Sequence, residues 1–121
     1  MVLYRQEVIE YILGITIYEY DWYLGLYVLG TNPYVNLATA EADGMRVLIE
    51  GSFGWSNGTM TNTLPITTGT TDTAITAEGW FLVNGFSTDI LFSHAFFTPI
   101  DVDAGNSAYF PAERIFLDFT V

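Results

Sequence analysis

Trp22-Tyr-Leu-Gly-Leu-Tyr-Val-Leu29 is apolar at nearly every position, and Gly30-Thr-Asn-Pro33 follows it directly. A strand that faces solvent on one side alternates apolar and polar residues, so an unbroken apolar run of this length predicts a central strand covered on both faces. The Gly-Thr-Asn-Pro cluster then marks a turn, because Gly and Asn tolerate special backbone angles and Pro cannot continue a central strand.

The same strand-and-turn logic extends outward from this run. Asp43-Gly44 precedes Met45 to Phe53, where Met45, Val47, Ile49 and Phe53 alternate with Arg46 and Glu50 and predict one strand. Asn57-Gly58 is a two-residue hairpin signal that predicts pairing of the segments around Phe53–Trp55 and Met60–Ile66. With Thr59 it also fits an N-glycosylation pattern, for which the hairpin turn is the simpler account. The threonine-rich stretch from Thr59 to Thr76 is read either as an extended polar strand pair or as a flexible loop. Gly79–Val83 and Ile90–Phe97 predict two further strands separated by Asn84-Gly85. Pro99 to Asn106 reads as a turn, and Arg114 to Val121 as a closing strand with Ile115, Leu117 and Phe119 on one face.

Before the central run, residues 3–13 predict one short amphipathic helix. Tyr4, Val8, Tyr11 and Ile12 recur at helical spacing, with Arg5, Gln6, Glu7 and Glu10 opposite and Gly14 as the stop. The β-branched Ile15-Thr16-Ile17 argues against continuation of the helix. Six to eight short strands with turns every ~8–12 residues predict an all-β fold. The expected form is one domain over residues 1–121, a small antiparallel β-sandwich or jelly-roll-like barrel with a short N-terminal helix.

Composition narrows the function. Half of the 121 residues are hydrophobic and 17% aromatic, which is the composition of a packed domain rather than a disordered chain. No cysteine is present, so disulfides, thiolate nucleophiles and cysteine-based zinc sites are excluded. Fourteen carboxylates face Arg5, Arg46 and Arg114, with no lysine, for a formal net charge of −11. Such a chain lacks the cations that nucleic-acid binding and polybasic membrane anchoring need, so neither partner is expected. Acidic residues interrupt the apolar run at the N-terminus, unlike a signal peptide, and no apolar stretch reaches the ~20 residues of a membrane span.

Catalytic constellations are weak. His94 is the sole histidine, with Ser93 beside it and Asp89 five residues earlier. In a strand Ser93 and His94 point to opposite faces, and no Gly-x-Ser-x-Gly elbow exists. Fourteen acids make some carboxylate pair inevitable in any fold, so a glycosidase pair carries no specific signal. Asp101-Val-Asp103-Ala-Gly105-Asn106 lacks the spacing of an EF-hand; a calcium loop using Asp101, Asp103 and the Asn106 carbonyl is the alternative to a plain turn. No enzyme activity, cofactor or metal is expected. Tyr18, Tyr20, Trp22, Tyr23 and Tyr27 crowd one segment and are the candidate interface residues, as partner anchors or as sugar-stacking rings.

The order of these elements resembles a family of small tailed-bacteriophage virion proteins, and the likeness runs along most of the chain. Its parts are Ile12-Leu13-Gly14, Leu24–Leu29 with Asn32-Pro33, Glu41-Ala-Asp-Gly44-Met-Arg46-Val47, and Pro99-Ile-Asp-Val102-Asp-Ala-Gly105-Asn106 with Phe110 before Ile115–Phe119. One departure is that Met45 follows Gly44 where the family has Tyr, so Arg46 comes one place early. The resemblance implies a non-enzymatic virion component. Its first form is a head decoration or cement protein that binds the major capsid protein as a homo-oligomer. A tail or tail-fibre accessory protein is the alternative, and a carbohydrate-binding module for host attachment is a further one.

Overall fold

The computed structural model describes residues 22–49, 52–56, 59–84 and 90–118. The expected helix over residues 3–13 lies outside them. Among the described residues the fold is all-β and antiparallel. The elements are β1 (Trp22–Val28), α1 (Leu37–Ala40), β2 (Val47–Leu48), β3 (Phe53–Ser56), β4 (Thr59–Asn62), β5 (Ile66–Thr67), β6 (Ile75–Asn84), β7 (Ile90–Val102), β8 (Tyr109–Phe110) and β9 (Phe116–Asp118). They form a four-stranded sheet in the order β2-β1-β6-β7, a three-stranded sheet β3-β4-β9 and a two-stranded sheet β5-β8. None of these sheets closes into a barrel, which corrects the barrel alternative.

β1 is central, as its two-sided apolar pattern requires. Leu24 and Leu26 are fully buried in the main core with Trp80, Leu82, Met45, Ile49, Phe53, Ile66, Val102 and Ile115. That core lies between the large sheet and side chains contributed by the two smaller ones. The other face of β1 packs Tyr27 with Phe81, Val83 and the α1 residues Leu37 and Ala40. Full burial of a leucine contributes about 2–3 kcal/mol, so the paired residues Leu24 and Leu82 make the β1–β6 ladder a main source of stability. α1 is a single turn, started by Asn36, whose side-chain oxygen accepts from the Thr39 N–H at 3.2 Å.

Three expectations change on folding. The predicted strand over Met45–Phe53 is split, because Ser52 N–H donates to the Ile49 carbonyl at 2.9 Å and this closure separates β2 from β3. Its alternation still holds, with Met45, Ile49 and Phe53 buried. The predicted turn from Pro99 shrinks to Asp103–Asn106, since β7 runs through Pro99 to Val102. Proline is tolerated there because β7 is the edge of the sheet among the described strands and the register slips. Ala77 pairs with Ile100 but Gly79 with Ala95, so residues 96–99 bulge opposite Glu78. The threonine-rich stretch is neither a long strand pair nor a loose loop. Beyond β4 and β5, Thr68 and Thr71 are buried and bonded to residues 105–108.

The expected pairing on either side of Asn57-Gly58 is realised, with Ser56 paired to Thr59, while those two residues lie outside the described ones. The closing strand pairs with β4 through Thr61–Phe116, Met60–Leu117 and Thr59–Asp118. In its described part Ile115 is buried while Arg114 and Phe116 are exposed, which is the alternation read from the sequence.

Candidate functional site

The aromatic segment is divided between core and surface. Trp22 and Tyr27 are core side chains at 9% and 5% exposure, and Tyr23 is half-buried against the α1-side cluster. Tyr18 and Tyr20 lie outside the described residues. The pair Trp22 and Tyr27 therefore offers little surface to a partner. A strand covered on both faces buries both of its side-chain sets, whatever their aromatic content. The Trp22 indole N–H is buried with no hydrogen-bond acceptor among the described residues.

Burial raises the pKa of the Tyr27 phenol, and the nearby Glu78 and Tyr34 add to the effect. The folded state thus holds this proton more tightly than the unfolded chain. Stability is unaffected below the ordinary tyrosine range near 10 and is lost as pH rises from there through the raised value. Urea melts at about pH 8 and about pH 11 should show wild type losing stability relative to Tyr27→Phe only at the higher pH. Equal losses in both proteins would contradict this account.

Ser93 and His94 do point to opposite faces: Ser93 pairs with Phe81, a residue of the α1-side cluster, and His94 with Trp80 of the main core. Asp89 lies outside the described residues. The Asp101 and Asp103 side chains are exposed, and Asp101 accepts from Thr76 Oγ1 at 2.7 Å. Asn106 N–H donates to the Asp103 carbonyl, and Gly105, at φ +83°, supplies the left-handed residue of the turn. Thr71 clasps this turn, donating to the Asn106 carbonyl at 2.9 Å and accepting from Gly105 N–H at 2.7 Å. These bonds account for the Asp-Gly-Asn residues as a structural turn. Among the described residues no three His, Asp or Glu side chains converge to hold a metal ion.

Two surface features had no sequence reading. The first is the loop after β1. Leu29, Tyr34 and Val35 are 54%, 59% and 81% exposed within seven residues. The loop is nonetheless ordered by hydrogen bonds: Thr31 N–H to the Val28 carbonyl, Val35 N–H to the Asn32 carbonyl, and Tyr34 N–H to Asn32 Oδ1 at 2.9 Å. Pro33 is buried and Asn36 starts α1, so both ends of the apolar tip are fixed. Its one sequence signal was Tyr34-Val35, two large apolar residues directly after a turn motif.

The second feature is a cleft of about 270 Å³ along the β7 edge, lined by Trp80, His94, Phe96, Phe110, Arg114 and Phe116, among others. The Phe96 and Phe110 rings stack at 5.9 Å between centroids, and His94 lies 6.2 Å from the Trp80 ring. Among the described residues no carboxylate lines the cleft. By contrast, Arg46 forms a two-point ion pair with Glu41 and sits 5.8 Å over the Phe81 ring. That pair is the one ion pair among the described residues, so Arg114 brings its charge to the cleft without a described carboxylate partner. Comparison of the chain with known protein families, curated proteins and solved structures finds no match.

Proposed function

We propose that the chain is a non-enzymatic structural component of a tailed-phage virion, a head decoration protein that binds the major capsid protein as a homo-oligomer. The body is a β-sandwich in this reading, with the four-stranded sheet as one layer and the three-stranded sheet as the other. The observation that carries the proposal is the ordered loop whose tip exposes Leu29, Tyr34 and Val35. Large apolar side chains held rigidly in water lose little conformational entropy on docking, which is how interface anchors act. Leu48, Leu64 and Tyr109 add further exposed apolar surface. An acidic chain of net charge −11 stays soluble before assembly and repels other copies except where apolar anchors engage. Many copies on a symmetric shell let weak single contacts act together.

Light scattering coupled to size-exclusion chromatography, with sedimentation against purified capsids, tests the reading. Wild type is expected to self-associate and co-sediment, and Val35→Asp to lose at least tenfold in capsid affinity while keeping its melting temperature. A strictly monomeric chain with no affinity for capsids would remove the proposal.

A further inference from the structure

The cleft along β7 is independent of the apolar loop and has a chemistry of its own. We infer that it binds a carboxylate carried on a sugar ring, a hexuronate-type residue, by stacking the ring on its aromatic walls and pairing the carboxylate with Arg114.

Its charge is the reverse of the chain's. In a protein of net charge −11, the cleft combines the single histidine with an arginine that has no described carboxylate partner, and no Asp or Glu among the described residues lines it. Charges beyond ~8–10 Å are screened at physiological ionic strength, so acids outside that range weigh little against Arg114 for a ligand inside the cleft. A planar guanidinium meets a carboxylate through two parallel N–H donors, which selects for that group over a neutral hydroxyl.

The walls select for a ring. Phe96 and Phe110 stack on each other, Phe116 is 54% exposed, and the buried Trp80 closes the floor beside His94. Aromatic faces of this kind pack against the apolar C–H face of a pyranose, while the exposed His94 imidazole offers a hydrogen-bonding edge to its hydroxyls. A volume of about 270 Å³ suits one ring rather than an extended chain. The wall that carries Arg114 is also fixed in advance. Buried Asn62 accepts the Arg114 and Ile115 N–H groups at 3.0 and 2.9 Å, so little ordering cost remains at that backbone on binding.

The test is a titration of the whole ¹⁵N-labelled chain with glucuronate, glucose, acetate and benzoate, read by amide shifts. Glucuronate is expected to shift resonances at 94–96, 110 and 114–116 with a Kd on the order of 1 mM, the range of a single open contact set. Glucose and acetate should each bind at least tenfold more weakly. Arg114→Gln should weaken glucuronate at least tenfold, and Phe116→Ala several-fold. Both side chains are exposed, so the amide spectrum elsewhere should be retained. Absence of localised shifts, or an unchanged Kd in Arg114→Gln, overturns the inference. Acetate as tight as glucuronate would reduce the site to bare charge and overturn it too. Benzoate binding more tightly than glucuronate would overturn the saccharide assignment. None of these outcomes depends on capsid binding.

Discussion

Asn62→Ala is expected to lower the stability of the fold by about 3–5 kcal/mol, the largest loss of any single polar substitution in the described chain. Asn62 is fully buried and its amide is completely used. Nδ2 donates to the Leu64 carbonyl at 3.0 Å and to the Pro111 carbonyl at 2.9 Å, while Oδ1 accepts from the N–H groups of Arg114 and Ile115. Its backbone adds two more bonds, to the Ile115 carbonyl at 3.3 Å and from Glu113 N–H at 2.7 Å. Truncation leaves two donors and two acceptors without partners, each costing roughly 1–3 kcal/mol where water cannot replace the bond. Asn62→Asp separates the two halves of the network. It keeps an acceptor for Arg114 and Ile115 but turns a carboxylate oxygen toward two carbonyls, so it should be nearly as damaging. Denaturant melts measure both losses. A cost below about 1 kcal/mol for Asn62→Ala would mean that water replaces the amide.

The same node holds Glu113 at φ +65°, a left-handed backbone that a side chain with a Cβ disfavours by roughly 1 kcal/mol. Glu113 N–H is tied to the Asn62 carbonyl, and this bond offsets the strain. Asn62→Ala keeps that backbone bond but removes the side-chain bonds to the Pro111 carbonyl and from the Arg114 and Ile115 N–H groups, so it should loosen the 111–115 segment on either side of Glu113, and with it the Arg114 wall of the cleft.

None of this could be read from the chain. Asn62 sits in a threonine-rich stretch as one polar residue among many, and all its side-chain partners except Leu64 lie 49 to 53 positions away. By contrast, β1 was legible because an eight-residue apolar run has one stable solution, burial on both faces. The β3–β4 hairpin was legible because Asn57-Gly58 sets its register locally. The same two-sided burial takes Trp22 and Tyr27 of the aromatic crowd into the core. Pro99 looked like a strand stop because the sequence does not reveal that β7 is an edge. The cleft was invisible for a related reason. His94 meets Phe110, Arg114 and Phe116 only after the long-range packing is in place, and no local spacing announces that meeting.

Gly79→Ala is expected to cost about 3 kcal/mol, and it tests whether the β1–β6–β7 ladder is as closely packed as its register implies. Gly79 lies opposite Tyr27 on one side and Ala95 on the other, at the edge of the β7 bulge. A Cβ there would overlap the His94 backbone carbonyl and approach the Tyr27 hydroxyl and ring to 2.6 Å. Tyr27 cannot move aside, because it is buried against Phe81 and α1. The His94 carbonyl belongs to a strand and can retreat only if β7 peels away from β6. Gly54→Ala is the matched control. Its Cβ would meet only the Thr63 methyl, and Thr63 is an exposed side chain held by a long 3.4 Å hydroxyl bond to the Ser52 carbonyl, so it can turn aside and the cost should stay at about 1 kcal/mol. Urea midpoints compare the two, and equal losses would point to a general glycine effect rather than to the close approach at Gly79. The substitution also bears on the cleft, since any outward shift of the His94 backbone moves its imidazole away from Trp80. Gly79→Ala should therefore weaken glucuronate binding even under conditions where the chain remains folded, whereas Gly54→Ala should leave it intact.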